Sequence, residues 1–62
     1  MSEKRFVIIN DNGDVSVIDT EEDNIVLFML DFENLADAKY VEMELDGIVS
    51  MLNELDRIIK ED

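Results

Sequence analysis

The sequence predicts an α+β fold: an antiparallel β-meander of two or three strands followed by one long helix. Three observations carry that expectation. The β-forming run Phe6 to Ile9 leads into Asp11-Asn12-Gly13-Asp14, which is turn chemistry. A second apolar block, Ile25 to Leu30, contains no polar side chain. From Phe32 to Lys60 apolar residues recur at steps of three and four, and no proline interrupts them.

Arg5 to Asn10 reads as the first strand. Asn12-Gly13 suits the positive φ angles of a type I′ turn, so Val15 to Asp19 becomes the returning strand, with Val15 and Val17 on one face and Ser16 and Ile18 on the other. Ile25 to Leu30 is expected as a third strand, because six consecutive large apolar residues suit a strand buried on both sides. The alternative is the buried part of a helix: Thr20 and Asp23 resemble a capping box, and Glu21 and Glu22 would complement a helix N-terminus. In the last segment Ala38, Val41, Leu45, Ile48, Leu52, Leu55 and Ile59 form a seam that is expected to pack on the sheet. Gly47 costs about 1 kcal/mol relative to Ala inside a helix. Gly47 is therefore the one point at which the long helix could kink or break, and a β-hairpin followed by two helices is the alternative fold.

The chain, residues 1–62, is one small domain. A domain of this size buries only about 60% of the surface its unfolded form exposes. The absence of cysteine removes disulfides and thiolate metal sites, so tight packing or association must supply the missing stability. Both faces of the strands are apolar, whereas one helix covers one face. The second apolar sheet face is expected to be covered by a homodimer or by another protein. A parallel homodimeric zipper of the helix is disfavoured, because Asp37 and Glu44 would face Glu42 and Asp56 with the same sign.

Seventeen acidic residues against five basic ones and no histidine leave a formal charge of −12. Each half of the chain contributes −6, so the charge belongs to the body of the domain and not to a tail. No basic patch exists to release counterions from phosphates, which argues against direct binding of nucleic acid or of anionic lipid. The longest apolar run has six residues where a membrane span needs about 20, and Met1 to Ile9 is too short for a signal peptide. A cytoplasmic protein is expected. Without His or Cys neither a Ser-His nor a Cys-His dyad can be built, and a chain this small has little room for a substrate cleft. Neither catalytic residues nor a cofactor are expected. Asn10 to Asp14 offers hard oxygen ligands around a glycine, but a hairpin turn explains it better than a calcium loop, so no metal site is expected.

The candidate binding residues are the Asp19, Glu21, Glu22 and Asp23 cluster and the helix acids Asp37, Glu42, Glu44 and Asp46. Helix surfaces in stable small domains usually alternate signs, as Asp56 before Lys60 does here. Glu42 before Asp46 is a repulsive pair at the same spacing. Fixed carboxylates can occupy a basic channel with the charge complementarity that nucleic acid has.

In size, acidity, hairpin-then-helix order and helix carboxylates such as Asp37, Glu42, Glu44 and Asp46, the chain resembles a class of small acidic phage-encoded proteins. These block host DNA-binding or RNA-guided enzymes, and include DNA mimics and anti-CRISPR proteins. The likeness is to the class and rests on no shared motif. It implies a stoichiometric inhibitor whose partner is a basic nucleic-acid-binding protein in a host cytoplasm. The alternative is a homodimeric adaptor or assembly protein whose charge only maintains solubility.

Overall fold

Asn12 and Gly13 both hold positive φ, 53° and 101°, and so close a two-residue loop between β1 (Phe6–Asp11) and β2 (Asp14–Asp19). The computed structural model describes residues 4–61. Glycine is required at position 13 for a second reason. A Cβ there would lie 2.5 Å from the Phe32 carbonyl oxygen, because the Gly13 carbonyl accepts the Phe32 N–H at 2.9 Å. That bond ties the hairpin turn to the end of β3 (Ile25–Asp31).

A single 3-10 turn, Thr20–Glu22, joins β2 to β3. The capping chemistry expected near Thr20 exists, but one residue earlier: the Asp19 carboxylate accepts the Glu21 N–H at 3.0 Å and caps this short turn. Asp23 and Asn24 then take left-handed conformations, which short polar side chains tolerate. The chain thereby reverses into β3, and Ile25 to Leu30 is a strand. The sheet is antiparallel with order β1-β2-β3. Leu27 is an extra residue in β3, since Val17 pairs with Phe28 and Ile18 with Val26. A bulge of this kind bends an edge strand and raises its twist.

The long helix, α1 (Leu35–Glu61), is continuous. Asn34 is its N-cap: the side-chain oxygen accepts the Ala36 N–H at 2.8 Å and the carbonyl accepts the Ala38 N–H. The one long helix expected from the sequence runs through Gly47 without a break, and the hairpin-plus-two-helices alternative is set aside. Gly47 sits in the helix with nothing near its missing Cβ, and its propensity cost is spread over a 27-residue element of mostly good helix formers.

α1 lies across β1 and, less extensively, β2. Val15, Val17, Ala38 and Val49 form the buried apolar core. The expected seam is only partly the packed face. Ala38 is buried and Val41 and Leu45 are half-buried, whereas Ile48, Leu52, Leu55 and Ile59 are exposed, Ile59 by 70%. A seam of heptad spacing drifts by about 20° per heptad on a straight α-helix. After three heptads it has swung off the sheet, and the positions that replace it are Val49, Asn53 and Asp56.

Asn53 and Asp56 are polar, so their inward position needs partners. Asn53 accepts the Phe6 N–H at 2.8 Å and donates to the Phe6 carbonyl at 2.9 Å. Asp56 receives Arg5 Nη1 at 3.1 Å. At the other end of β1 the Asn10 amide donates to Glu42 at 2.9 Å. Helix and strand are thus held at both ends by side-chain hydrogen bonds. No helix among the described residues is long and apolar enough to cross a membrane.

Candidate functional site

The two ends of the molecule differ in charge balance. At the C-terminal end of α1 the basic residues gather, and Arg5, Arg57 and Lys60 are each engaged. Arg5 grips Asp19 in a bidentate pair, with Nε and Nη2 each 2.9 Å from a carboxylate oxygen, and its third nitrogen reaches Asp56. This fork geometry is the strong form of the ion pair. The Asp19 carboxyl is held below its ordinary value by the Arg5 hydrogen bonds, against the opposing effect of burial. The Arg5 guanidinium is pushed up by the same partners, Asp19 first and Asp56 second, and it lies 5.0 Å from the Phe6 ring centre. Lys60 pairs with Glu21 and, at 3.0 Å, with Asp56. Arg57 pairs with Glu54, whose carboxyl it lowers, and with Glu61 at 2.7 Å.

An open concavity of about 550 Å³ lies here, lined by residues that include Arg5, Ser50, Asn53, Asp56, Arg57 and Lys60. Lys4 also lines it, and the remaining charges are paired with one another or with Asp19 and Glu21.

The hairpin end has the opposite character. Asp11 pairs with Asp14 across the first ladder, and Asp14 pairs with Asp31 across the second. Three carboxylates therefore stand in one row across three strands, at the roughly 4.8 Å spacing of the sheet. Glu33 and Asp37 follow where the chain turns into α1. None of these five has an ion-pair partner among the described residues. The Asp14 carboxyl is raised above its ordinary value, chiefly by its hydrogen bond to Asp31 and then by the negative charge of Asp31. Two carboxyl groups this close disfavour each other's ionisation. Among the described residues no group of three or more acids is placed to hold a metal ion, and the Asn10 side chain closes the turn by accepting the Gly13 N–H.

The candidates named from sequence scatter over this frame. Asp19 is buried, with 4% of its surface exposed, and its carboxylate serves Arg5 and the 3-10 turn. It belongs to the framework and leaves the candidate surface. Glu21 is tied to Lys60, and Glu42 to Asn10 with Lys39 Nζ 4.0 Å away. Glu22, Asp23, Asp37, Glu44 and Asp46 are exposed and lack ion-pair partners among the described residues. By helical spacing Asp37 and Glu44 share one flank of α1, and Asp46 lies on the other. Of the eight, Asp37 in the first turn of α1 and Glu42, through Asn10, lie toward the hairpin end.

Asp11, Asp14 and Asp31 were not among those candidates. Asp11 and Asp14 flank the Asn12-Gly13 turn, so their pairing follows from the two-residue loop. Asp31 joins them only through the β2–β3 register, which the extra residue Leu27 obscures. Comparison with protein-family models, with curated proteins and with solved structures finds no match to this chain.

Proposed function

We propose that the chain is a non-enzymatic, stoichiometric inhibitor that occupies the basic nucleic-acid-binding surface of another protein. The observation that carries this reading is the row Asp11, Asp14 and Asp31, extended by Glu33 and Asp37 and free of neutralising bases among the described residues. Hydrogen-bonded strands fix the carboxylates, so little side-chain and backbone order has to be gained on binding. Their spacing of about 4.8 Å is of the same order as the roughly 3.4 Å of axis per charge along one strand of duplex DNA. Glu22, Asp23, Glu44 and Asp46 add a broader field that steers the encounter. Its target being a nucleic-acid-handling protein, the cytoplasm is the compartment this reading implies, a host cytoplasm if a phage encodes it.

The test is affinity capture from the lysate of the source or host cell, with captured proteins identified by mass. The expected catch consists of basic nucleic-acid-binding proteins that are released between about 50 and 200 mM salt, as phosphate ligands are. Added duplex DNA should displace them, and a variant with Asp11, Asp14 and Asp31 all replaced by Asn should not retain them. Proteins held equally by that variant, and indifferent to both salt and DNA, would overturn the reading.

A second reading is favoured by a different observation, the exposure of all seven residues of β3. In it the chain is a homodimeric adaptor whose charge only maintains solubility. A set of captured proteins unaffected by the triple Asn replacement would favour it.

A further inference from the structure

The two edges of the sheet are treated in opposite ways. The Thr20 N–H bonds the Arg5 carbonyl, so the antiparallel alternation turns the main-chain groups of Phe6, Ile8 and Asn10 outward from β1. Asn53 then occupies both outward groups of Phe6, and α1 lies along this side of the sheet. On the other edge the Phe32 N–H bonds the Gly13 carbonyl. The same alternation aims Leu30 and Phe28 at β2 and leaves the N–H and C=O groups of Met29 and Asp31 facing away from it.

Of the usual protections of an edge strand, β3 has only the bulge at Leu27. Ile25 to Leu30 contains no lysine, no proline and no charge, and only the Leu27 bulge interrupts it. Every side chain is exposed, from Leu30 at 39% to Met29 at 61%. Six large apolar residues in one strand, solvated on both faces, form a contiguous patch of the kind that marks an interface. The flank of α1 that has swung off the sheet exposes Ile48, Leu52, Leu55 and Ile59 as well.

We infer that β3 is the interface of a homodimer, in which it pairs antiparallel with β3 of a second copy to make one six-stranded sheet. The area agrees with this occupant. A folded monomer of 7.2 kDa is expected to expose about 4,100 Å², and this chain exposes 4843 Å². The surplus of about 700 Å² is close to the roughly 800 Å² that each partner brings to a standard interface. Its shape agrees as well: the radius of gyration is 12.6 Å where about 10.6 Å is expected for a compact chain of this length.

Charge selects the mode of pairing. Two bodies of −12 repel, so they can meet only through a neutral surface. The segment Ile25 to Leu30 is neutral along its length and therefore complementary to itself. A two-fold centred near Phe28 or Met29 keeps the two Asp31 carboxylates about 14 Å or more apart, beyond the ~8 Å screening length at physiological salt.

The full chain tests this by sedimentation and by hydrogen exchange at increasing concentration. The wild type is expected at twice 7.2 kDa, with the Met29 and Asp31 amides growing more protected as the dimer forms. Because repulsion opposes association, the dimer should tighten as salt is raised, the reverse of the salt effect on a basic target. Met29→Pro removes an outward N–H that takes no part in the β2–β3 ladder, and Met29→Lys puts charge on the edge while keeping the backbone intact. Each should weaken dimerisation at least tenfold with unchanged far-ultraviolet circular dichroism. A wild type that stays monomeric at millimolar concentration, or a dimer whose Met29 and Asp31 amides remain unprotected, overturns the inference. It does not rest on the inhibitory function, and either can fail alone.

Discussion

Arg5 and Asp19 show how one residue pair organises an end of this molecule. Asp19 is nearly inaccessible, and its two oxygens are shared between the Arg5 fork and the Glu21 N–H. Removing one partner strands the other in the protein, which costs far more than the net gain of the pair itself. Because the Asp19 carboxyl is depressed in the folded state, its contribution is present above the ordinary value of 3.8 and is lost as pH falls through the lower folded value. Arg5→Met should therefore be much less stable than the wild type at neutral pH, and the gap should narrow at an acid pH below the depressed folded value, where Asp19 is protonated in both. Urea midpoints at the two pH values check this. An equal gap at both would mean that Arg5 acts through packing on Phe6 and not through Asp19.

At the scale of elements, the turn and the strands were legible because their causes are local. Asn12-Gly13 encodes positive φ, and the six-residue apolar block Ile25 to Leu30 is too uniformly apolar for an amphipathic helix. The rotation of α1 was not legible, because it depends on residues distant in sequence. Ile48, Leu55 and Ile59 continue a heptad pattern by eye. The packed face instead follows the 3.6-residue repeat through Val49 to Asn53 and Asp56, whose polar groups find Phe6 and Arg5. The fate of Gly47 is also decided by the element as a whole. It lies in open space within a continuous helix, so Gly47→Ala should raise stability by about 1 kcal/mol. Thermal or chemical denaturation measures this, and a loss of stability would show that Gly47 is needed for a bend.

For the whole molecule, the arrangement of charge and apolar surface departs from what a self-sufficient domain shows. The chain measures 42 × 22 × 18 Å, with its basic residues gathered about the C-terminal end of α1, Lys39 apart, and an unneutralised acidic row at the hairpin end. The evenness of charge along the sequence, −6 in each half, concealed this polarity. It arises because Arg5 from the start of the chain and Arg57 and Lys60 from its end fold to one place, while the antiparallel ladders bring Asp11, Asp14 and Asp31 to the other.

The acidic row has a signature of its own. The Asp14 carboxyl is raised by Asp31, so its contribution to stability has the opposite sign to that of Asp19. It opposes folding at neutral pH, and the opposition is relieved as pH falls through the raised folded value. Asp31→Asn should therefore raise the melting temperature at neutral pH, with the gain fading in acid. The most direct measurement is an NMR titration of the side-chain carboxyl carbons of Asp11, Asp14 and Asp31. The fixed, crowded row predicts that Asp14 titrates above its ordinary value of 3.8 and returns toward it in Asp31→Asn. An Asp14 that titrates at or below that value, and does not respond to the replacement, would contradict it.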